Sequence, residues 1–221
     1  MIKYLPLFLL LTVTLTHTSQ AATQKKYFTL LNPSRARLLL GNYPARGSIE
    51  EERDFDILLR YQESRTEQDC ALAAKQVNTS LKSLFVNGDG PLTSKEAKRF
   101  SFAVLKAYIE AGINTHIAKK TFKRPRPYIR NPLIKPCIKR EKSYAYPSGH
   151  TTVSRVMAHV LSYKYPDRAE AFMRRADEVA ENRVLGGVHH PSDIEAGKKL
   201  GDVIARKVLK SEKFLKQLQT I

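Results

Sequence analysis

Between Thr151 and Tyr165 the apolar residues Val153, Val156, Met157, Val160 and Leu161 recur at three- and four-residue intervals, which lays one apolar stripe along an α-helix. Similar spacing runs from Lys95 to about Lys120, through Phe100, Val104, Ala107, Tyr108, Ala111 and Ala118. Further helices are expected over Arg168 to Leu185 and Ser192 to Leu209. No stretch alternates apolar and polar residues with the period of two that a half-buried strand needs. Stripes of this kind must bury one another, so the chain is expected to be all-α, with helices bundled around one core. At 221 residues, 42% of them hydrophobic, it has material for a single such domain.

Proline, glycine and capping residues set the ends of these elements. Ser94 is placed to cap the helix that begins at Lys95, and Pro125 and Pro127 must end it, leaving Lys119 near its end and Arg126 in extended chain beyond. Glu50 to Val77 is loosely helical with an interruption near Ser64. Asn78 to Pro91 reads as a connecting loop around a short apolar piece, Leu81 to Val86, and Thr23 to Gly47 as an irregular arm. Arg130 to Tyr146 reads as a long proline-containing loop of the kind that carries binding residues, and Ser211 to Ile221 as a basic amphipathic tail. Met1 to Ala21, with Lys3, the apolar run Tyr4 to Val13 and a small-residue end, reads as a secretory signal cleaved after Ala21 or Ala22. That run falls short of the ~20 residues needed to span a bilayer. The mature domain is then 22–221, and the protein is expected to be periplasmic or secreted.

Lys and Arg number 38 against 21 Asp and Glu, a formal charge of +17. Such a chain attracts anions: nucleic acid, an acidic membrane surface or phosphorylated small molecules. The surplus concentrates in Lys119 to Lys142, where Glu141 is the single acid. Much of that run reads as a solvated loop. Export would let Cys70 and Cys137 pair and close a long loop; the alternative is two buried thiols. Neither cysteine has a Cys or His neighbour at zinc-ligand spacing.

Three separated segments bring charge or histidine to a helix boundary. In Asn182 to Asp193, Arg183 precedes a small-residue break at Gly186 and Gly187; His189 follows, with Asp193 four positions later. With Pro191 opening a helix, Asp193 lies in its first turn and can hold one ring nitrogen of His189, leaving the other free to attack or to take a proton. Pro147-Ser148-Gly149-His150 stands where the next helix begins, so free N–H groups and the dipole can hold an oxyanion. Lys119, Arg126 and Arg183 can supply charged donors to the same anion.

Together these segments resemble the three-part signature of the phosphatidic acid phosphatase type 2 superfamily, which includes bacterial class A non-specific acid phosphatases and vanadium haloperoxidases. Lys119 to Arg126-Pro127 matches the first part, Pro147 to His150 the second, and Arg183, His189 and Asp193 the third, with Asn182 where the family usually has Ser. The resemblance covers Lys119 to Asp193 and implies the family's all-α fold. It also implies metal-independent hydrolysis through a phosphohistidine and no cofactor. In that scheme His189 attacks phosphorus, Asp193 orients it, and His150 protonates the leaving oxygen. Lys119, Arg126, Arg183 and the backbone of Ser148 and Gly149 hold the equatorial oxygens. His116 and His159 read as packing or surface residues and His190 as a candidate for the substrate entrance, while Tyr144 and Tyr146 flank the loop.

The expected substrate is a soluble phosphate monoester, hydrolysed by an acid phosphatase. The form His189-His190-Pro191-Ser192-Asp193 is closer to the lipid-phosphatase side of the family than to the acid phosphatases' His-Trp-x-Ser-Asp. A lipid phosphate or pyrophosphate met at an anionic membrane surface is therefore the second reading. A vanadium-dependent haloperoxidase is a third, disfavoured by the short chain. A basic nucleic-acid binder would explain the charge but not the ordered histidines and aspartate, and export argues against it.

Overall fold

The computed structural model describes residues 31–87 and 89–220; the expected leader, Met1 to Ala21, lies outside them. Among the described residues every regular element is helical: α1 (Pro33–Leu40), α2 (Ile49–Ser64), α3 (Glu67–Lys75), α4 (Leu81–Phe85), α5 (Ser94–Ser101), α6 (Leu105–Phe122), α7 (Pro127–Arg130), α8 (Gly149–Lys164), α9 (Ala169–Leu185), α10 (Pro191–Val208) and α11 (Glu212–Gln219). A single 3-10 turn, Pro166–Arg168, joins α8 to α9.

Helix α8 is the axis of the bundle. It packs against α9, α10 and α6, and its stripe of Val153, Val156, Met157, Val160 and Leu161 is buried in the main core with Phe100, Phe172, Leu200 and Ile204. Two glycines on α10 let α8 and α10 approach closely. A Cβ at Gly197 would stand 2.9 Å from the Ser148 carbonyl oxygen, and one at Gly201 would stand 2.7 Å from Arg155 Cβ. The N-terminal end of α8 is thereby seated against the first turns of α10, the two places where the second and third sequence segments lie.

Several boundaries differ from the sequence reading, each for a local reason. The irregular arm contains α1, whose N-cap Asn32 accepts from the Arg35 N–H and whose Pro33 sits at N1, where proline favours a helix. The expected helix from Lys95 to Lys120 is two, α5 and α6, broken between Phe102 and Val104. Its cap is Thr93 rather than Ser94, in a reciprocal capping box with Glu96. Pro127, read as ending structure, instead opens the single turn of α7 with Arg126 as its N-cap. The interruption near Ser64 is present, because Arg65 is extended and Thr66 starts α3 through a capping box with Asp69. Cys70 on α3 is disulfide-bonded to Cys137 in the segment between α7 and α8, with Cα atoms 5.8 Å apart.

Candidate active site

The turn from α9 into α10 folds His189 back over Arg183. Gly187 takes a left-handed φ of 77°, which a side chain would resist. The N–H groups of Val188 and His189 both donate to the Arg183 carbonyl. Pro191 then opens α10, and Asp193 in its first turn accepts from the His190 N–H at 2.9 Å and from His189 Nδ1 at 3.1 Å. His189, His190 and Asp193 are fully buried.

One neighbour fixes the proton on His189. Arg126 lies with a guanidinium nitrogen 2.9 Å from His189 Nε2. A guanidinium has no lone pair to offer, so Nε2 must be the acceptor, and the ring proton sits on Nδ1, donated to Asp193. Burial pushes the His189 pKa well below 6.5, helped by the Arg126 and Lys119 charges and opposed by Asp193, so the ring is neutral with its lone pair on Nε2. Burial alone would raise the Asp193 carboxyl. His190, the Arg124 guanidinium and hydrogen bonds from both imidazoles overcome it and hold the group well below its ordinary value.

Behind Asp193 stands a second layer that the sequence reading did not identify. Arg124, itself 1% exposed, donates to Asp193 Oδ1 at 2.7 Å, to Ser192 Oγ at 2.7 Å and to Asp54 Oδ2 at 2.9 Å. Asp54, on α2, also accepts from the Ser192 N–H at 3.0 Å and from its hydroxyl. An aspartate from the far N-terminal side therefore clamps the turn that bears Asp193. Arg124 was read as part of a solvated basic run; an arginine two residues before the matched Arg126, with a proline between, is the signal that was available. His190, read as a candidate for the entrance, is instead packed edge-on against Phe55 and contacts Asp193 through Nδ1 at 3.1 Å. It lies behind the site and supports the carboxylate.

The helix boundary at Pro147 to His150 is built as expected, with one correction. The Ser148 N–H donates to the Asp193 carbonyl at 2.9 Å, and its hydroxyl accepts from Thr151 as the cap of α8. Ser148 therefore shapes the turn, and its N–H is not free for an oxyanion. The N–H groups of Gly149 and His150 begin the helix and have no intrahelical acceptor. A Cβ at Gly149 would come within 3.8 Å of Lys119 Cε, so glycine keeps the space beside the lysine open. His150 Nε2 lies 2.8 Å from the Val77 carbonyl oxygen, which can only accept, so Nε2 carries a proton and Nδ1 faces Glu141 at 3.8 Å. Burial and the Arg183 charge lower the His150 pKa to about 4, against raising contributions from Glu141 and the Val77 carbonyl.

Lys119, Arg126 and Arg183 all lie within electrostatic reach of Glu141. Lys119 Nζ donates to the carbonyls of Tyr144 and Ala145, and burial, aided by Arg126, lowers its pKa to about 7. Arg183 donates to the Ala73 carbonyl, while its buried Nε has no hydrogen-bond partner. Arg126 has its donors occupied by the Ser143 carbonyl, the Val188 carbonyl, His189 Nε2, Glu141 and the Ser143 hydroxyl. Asn182 turns away to donate to Gln76 Oε1 at 2.9 Å. Arg126 and Glu141 also line a cleft of about 540 Å³ with Tyr128, Ile129, Arg140 and Tyr144, and His189, His150, Lys119 and Arg183 are not among its walls. Tyr146 points inward and donates to the Leu40 carbonyl. His116 is exposed, and His159 binds Asp202 on the surface between α8 and α10. Among the described residues no group of three or more His, Cys, Asp or Glu could hold a metal ion.

The all-α bundle thus sets Arg126 and Lys119 about the imidazole that Asp193 orients, with Arg183 within electrostatic reach of His150 at the N-terminal end of α8. Residues 100–214 match the family model of the PAP2 superfamily, and the chain belongs to that superfamily. It is 35% identical over 111 residues to a non-specific acid phosphatase of Salmonella typhi, covering 48% of this chain and 44% of that protein. It is 30% identical over 157 residues to one of Providencia stuartii, covering 69% of this chain and 62% of the relative. The alignments therefore span about half the length of these relatives. Among solved structures it resembles a bacterial vanadium-dependent iodoperoxidase (TM-score 0.60, 21% identity, 79% of this chain and 53% of that one). It also resembles a transmembrane PAP2-type phosphatidylglycerolphosphate phosphatase from Bacillus subtilis (TM-score 0.56, 19% identity, 81% and 94%). At these identities the two structures speak to the fold alone.

Proposed function

We propose that the protein is an acid phosphatase that hydrolyses phosphate monoesters through a phosphohistidine on His189. The observation that carries this reading is the forced tautomer: a neutral imidazole, its Nδ1–H on Asp193 and its Nε2 lone pair at the phosphate cradle. The named relatives support the same chemistry.

An incoming phosphate oxygen takes the Arg126 donor that now caps Nε2, which frees the lone pair. Lys119, Arg183 and the Gly149 N–H hold the other oxygens, and charge stabilisation of this kind is the largest share of catalysis in phosphoryl transfer. Phosphate bound beside His150 stabilises its imidazolium, so that Nδ1 carries a proton as well as the Nε2 held by the Val77 carbonyl. As a bond forms from His189 Nε2 to phosphorus and the bond to the leaving oxygen breaks, the leaving oxygen takes that Nδ1 proton. Water then attacks phosphorus and returns a proton to His150, releasing phosphate and neutral His189. Asp193 balances the positive charge on the phosphorylated ring.

Phosphate release from a chromogenic monoester in chelator at mildly acidic pH is expected, with vanadate as an inhibitor. A folded protein inactive under those conditions would sink the reading. A lipid phosphate at an anionic membrane surface is the second substrate reading, motivated by the His-x-Pro-Ser-Asp form and the net charge of +17. A panel of nucleotides, sugar phosphates and phosphatidic acid separates the two, by which class gives the higher kcat/KM. Export to the periplasm or beyond is proposed from the leader at Met1 to Ala21, and processing after Ala21 or Ala22 in a mature N-terminus would establish it.

A further inference from the structure

The cradle holds one acid that the phosphohistidine scheme does not use. Glu141 lies in the segment between α7 and α8, and its Oε2 accepts from an Arg126 nitrogen at 2.6 Å. Its Oε1 is 3.8 Å from His150 Nδ1, too far for a hydrogen bond. The position is held by backbone. Tyr128 Oη donates to the Glu141 carbonyl at 2.7 Å, Arg126 Nε donates to the Ser143 carbonyl at 2.8 Å, and the Cys70–Cys137 bond anchors the segment four residues earlier. The backbone that carries Glu141 is therefore fixed beside Arg126, whose guanidinium holds the carboxylate. The charged and titratable groups around it come from every packed element: Lys119 of α6, Arg126 before α7, His150 of α8, Arg183 of α9, His189 before α10, and Asp193 at depth. Arg140 and Lys142 flank it in the chain, Arg140 lying over the Tyr128 ring.

We propose that Glu141 selects the singly ionised form of the phosphate group, with Oε1 accepting the hydrogen bond of the remaining P–O–H. An ionised carboxylate accepts and cannot donate. A fully ionised tetrahedral anion has no proton to offer and meets repulsion there, whereas a monoanion meets an acceptor. Burial alone would raise the Glu141 carboxyl, but His189, Arg126, His150 and Lys119 lower it to about 2, and where the two imidazoles are neutral the Arg126 guanidinium at 2.6 Å and Lys119 still favour the ionised acceptor in the mildly acidic range. The inference rests on the phosphatase reading and adds the protonation state of its substrate.

Binding of inorganic phosphate and of sulfate to the full chain tests it by calorimetry, without turnover. Both are tetrahedral, but sulfate carries no proton at pH 5 and phosphate does. The wild type is expected to bind phosphate about tenfold or more tightly than sulfate at pH 5, the worth of one charge-assisted hydrogen bond. In Glu141→Gln the ratio is expected to fall towards one, because the amide can donate to sulfate. Equal binding by the wild type, or an unchanged ratio in the variant, overturns the proposal. So does slowed turnover with an unchanged ratio, which assigns Glu141 to orienting His150. Should the variant not fold, the wild type decides by pH: from pH 5 to 8 phosphate affinity must fall more steeply than sulfate affinity, since loss of charge on Lys119 or His150 weakens both alike. Parallel curves refute it. A wild type that binds neither anion refutes the phosphatase reading itself, a result distinct from binding without discrimination.

Discussion

The proton on His189 is decided by its neighbours. Arg126 on Nε2 and Asp193 on Nδ1 leave one tautomer, so Asp193→Asn, which can present an N–H to Nδ1, is expected to put the proton on the wrong nitrogen. A loss of about 10³- to 10⁴-fold in kcat with the fold retained is predicted, measured against a chromogenic ester and checked by circular dichroism. His189→Ala is expected to abolish turnover to a similar or greater extent, and a fully active variant removes the proposed nucleophile. Arg124→Met tests the layer behind: it strips Asp193, Asp54 and Ser192 of a shared buried cation. Breaking a buried pair in this way costs about 3 to 5 kcal/mol, and urea unfolding should report it. The residues proposed to hold the anion were legible from the three-part signature, whose parts sit at helix boundaries. Arg124 and Asp54 were not, because they lie 70 residues apart and only tertiary packing makes them partners.

Among the elements, the seat of α8 on α10 sets the geometry of the oxyanion turn. A methyl at Gly197 meets the Ser148 carbonyl at 2.9 Å and Thr151 Cβ at 2.9 Å, neither of them a flexible side-chain tip. Gly197→Ala is therefore expected to cost about 1 to 3 kcal/mol and to reduce kcat as well, since the turn that moves carries Gly149 and His150. The Cys70–Cys137 bond joins α3 to the segment bearing Glu141, across a separation of 67 residues. Helix α3 is followed by Val77, whose carbonyl holds His150. Cys137→Ser is predicted to lower stability by roughly 4 kcal/mol and to raise KM, both readable in one preparation. The sequence left pairing and free thiols open, since nothing local to either cysteine distinguishes them.

For the molecule as a whole, buried histidines set the pH response. His150 has a folded pKa of about 4 against 6.5, so the unfolded chain takes up a proton that the folded chain refuses. Its contribution to stability is complete above pH 6.5 and lost progressively as pH falls through 4, and His189, held well below 6.5, adds to the loss in the same direction. The melting temperature is expected to fall from pH 7 to 4, and saturating phosphate should narrow that fall by stabilising the imidazolium; an unchanged melting temperature contradicts it. No helix among the described residues is long and apolar enough to cross a membrane. What the sequence determined by itself was the set of helices from α8 to α10 and the order and spacing of the residues proposed to bind the anion, because apolar periodicity and breaker residues act within a few positions of themselves. What only the tertiary structure decided was the proton on His189, the inward turn of His190, the use of the Ser148 N–H, and the place of Glu141. Each depends on a partner from another element, brought within hydrogen-bonding or electrostatic reach by helix packing and the disulfide, and local sequence does not encode such partners.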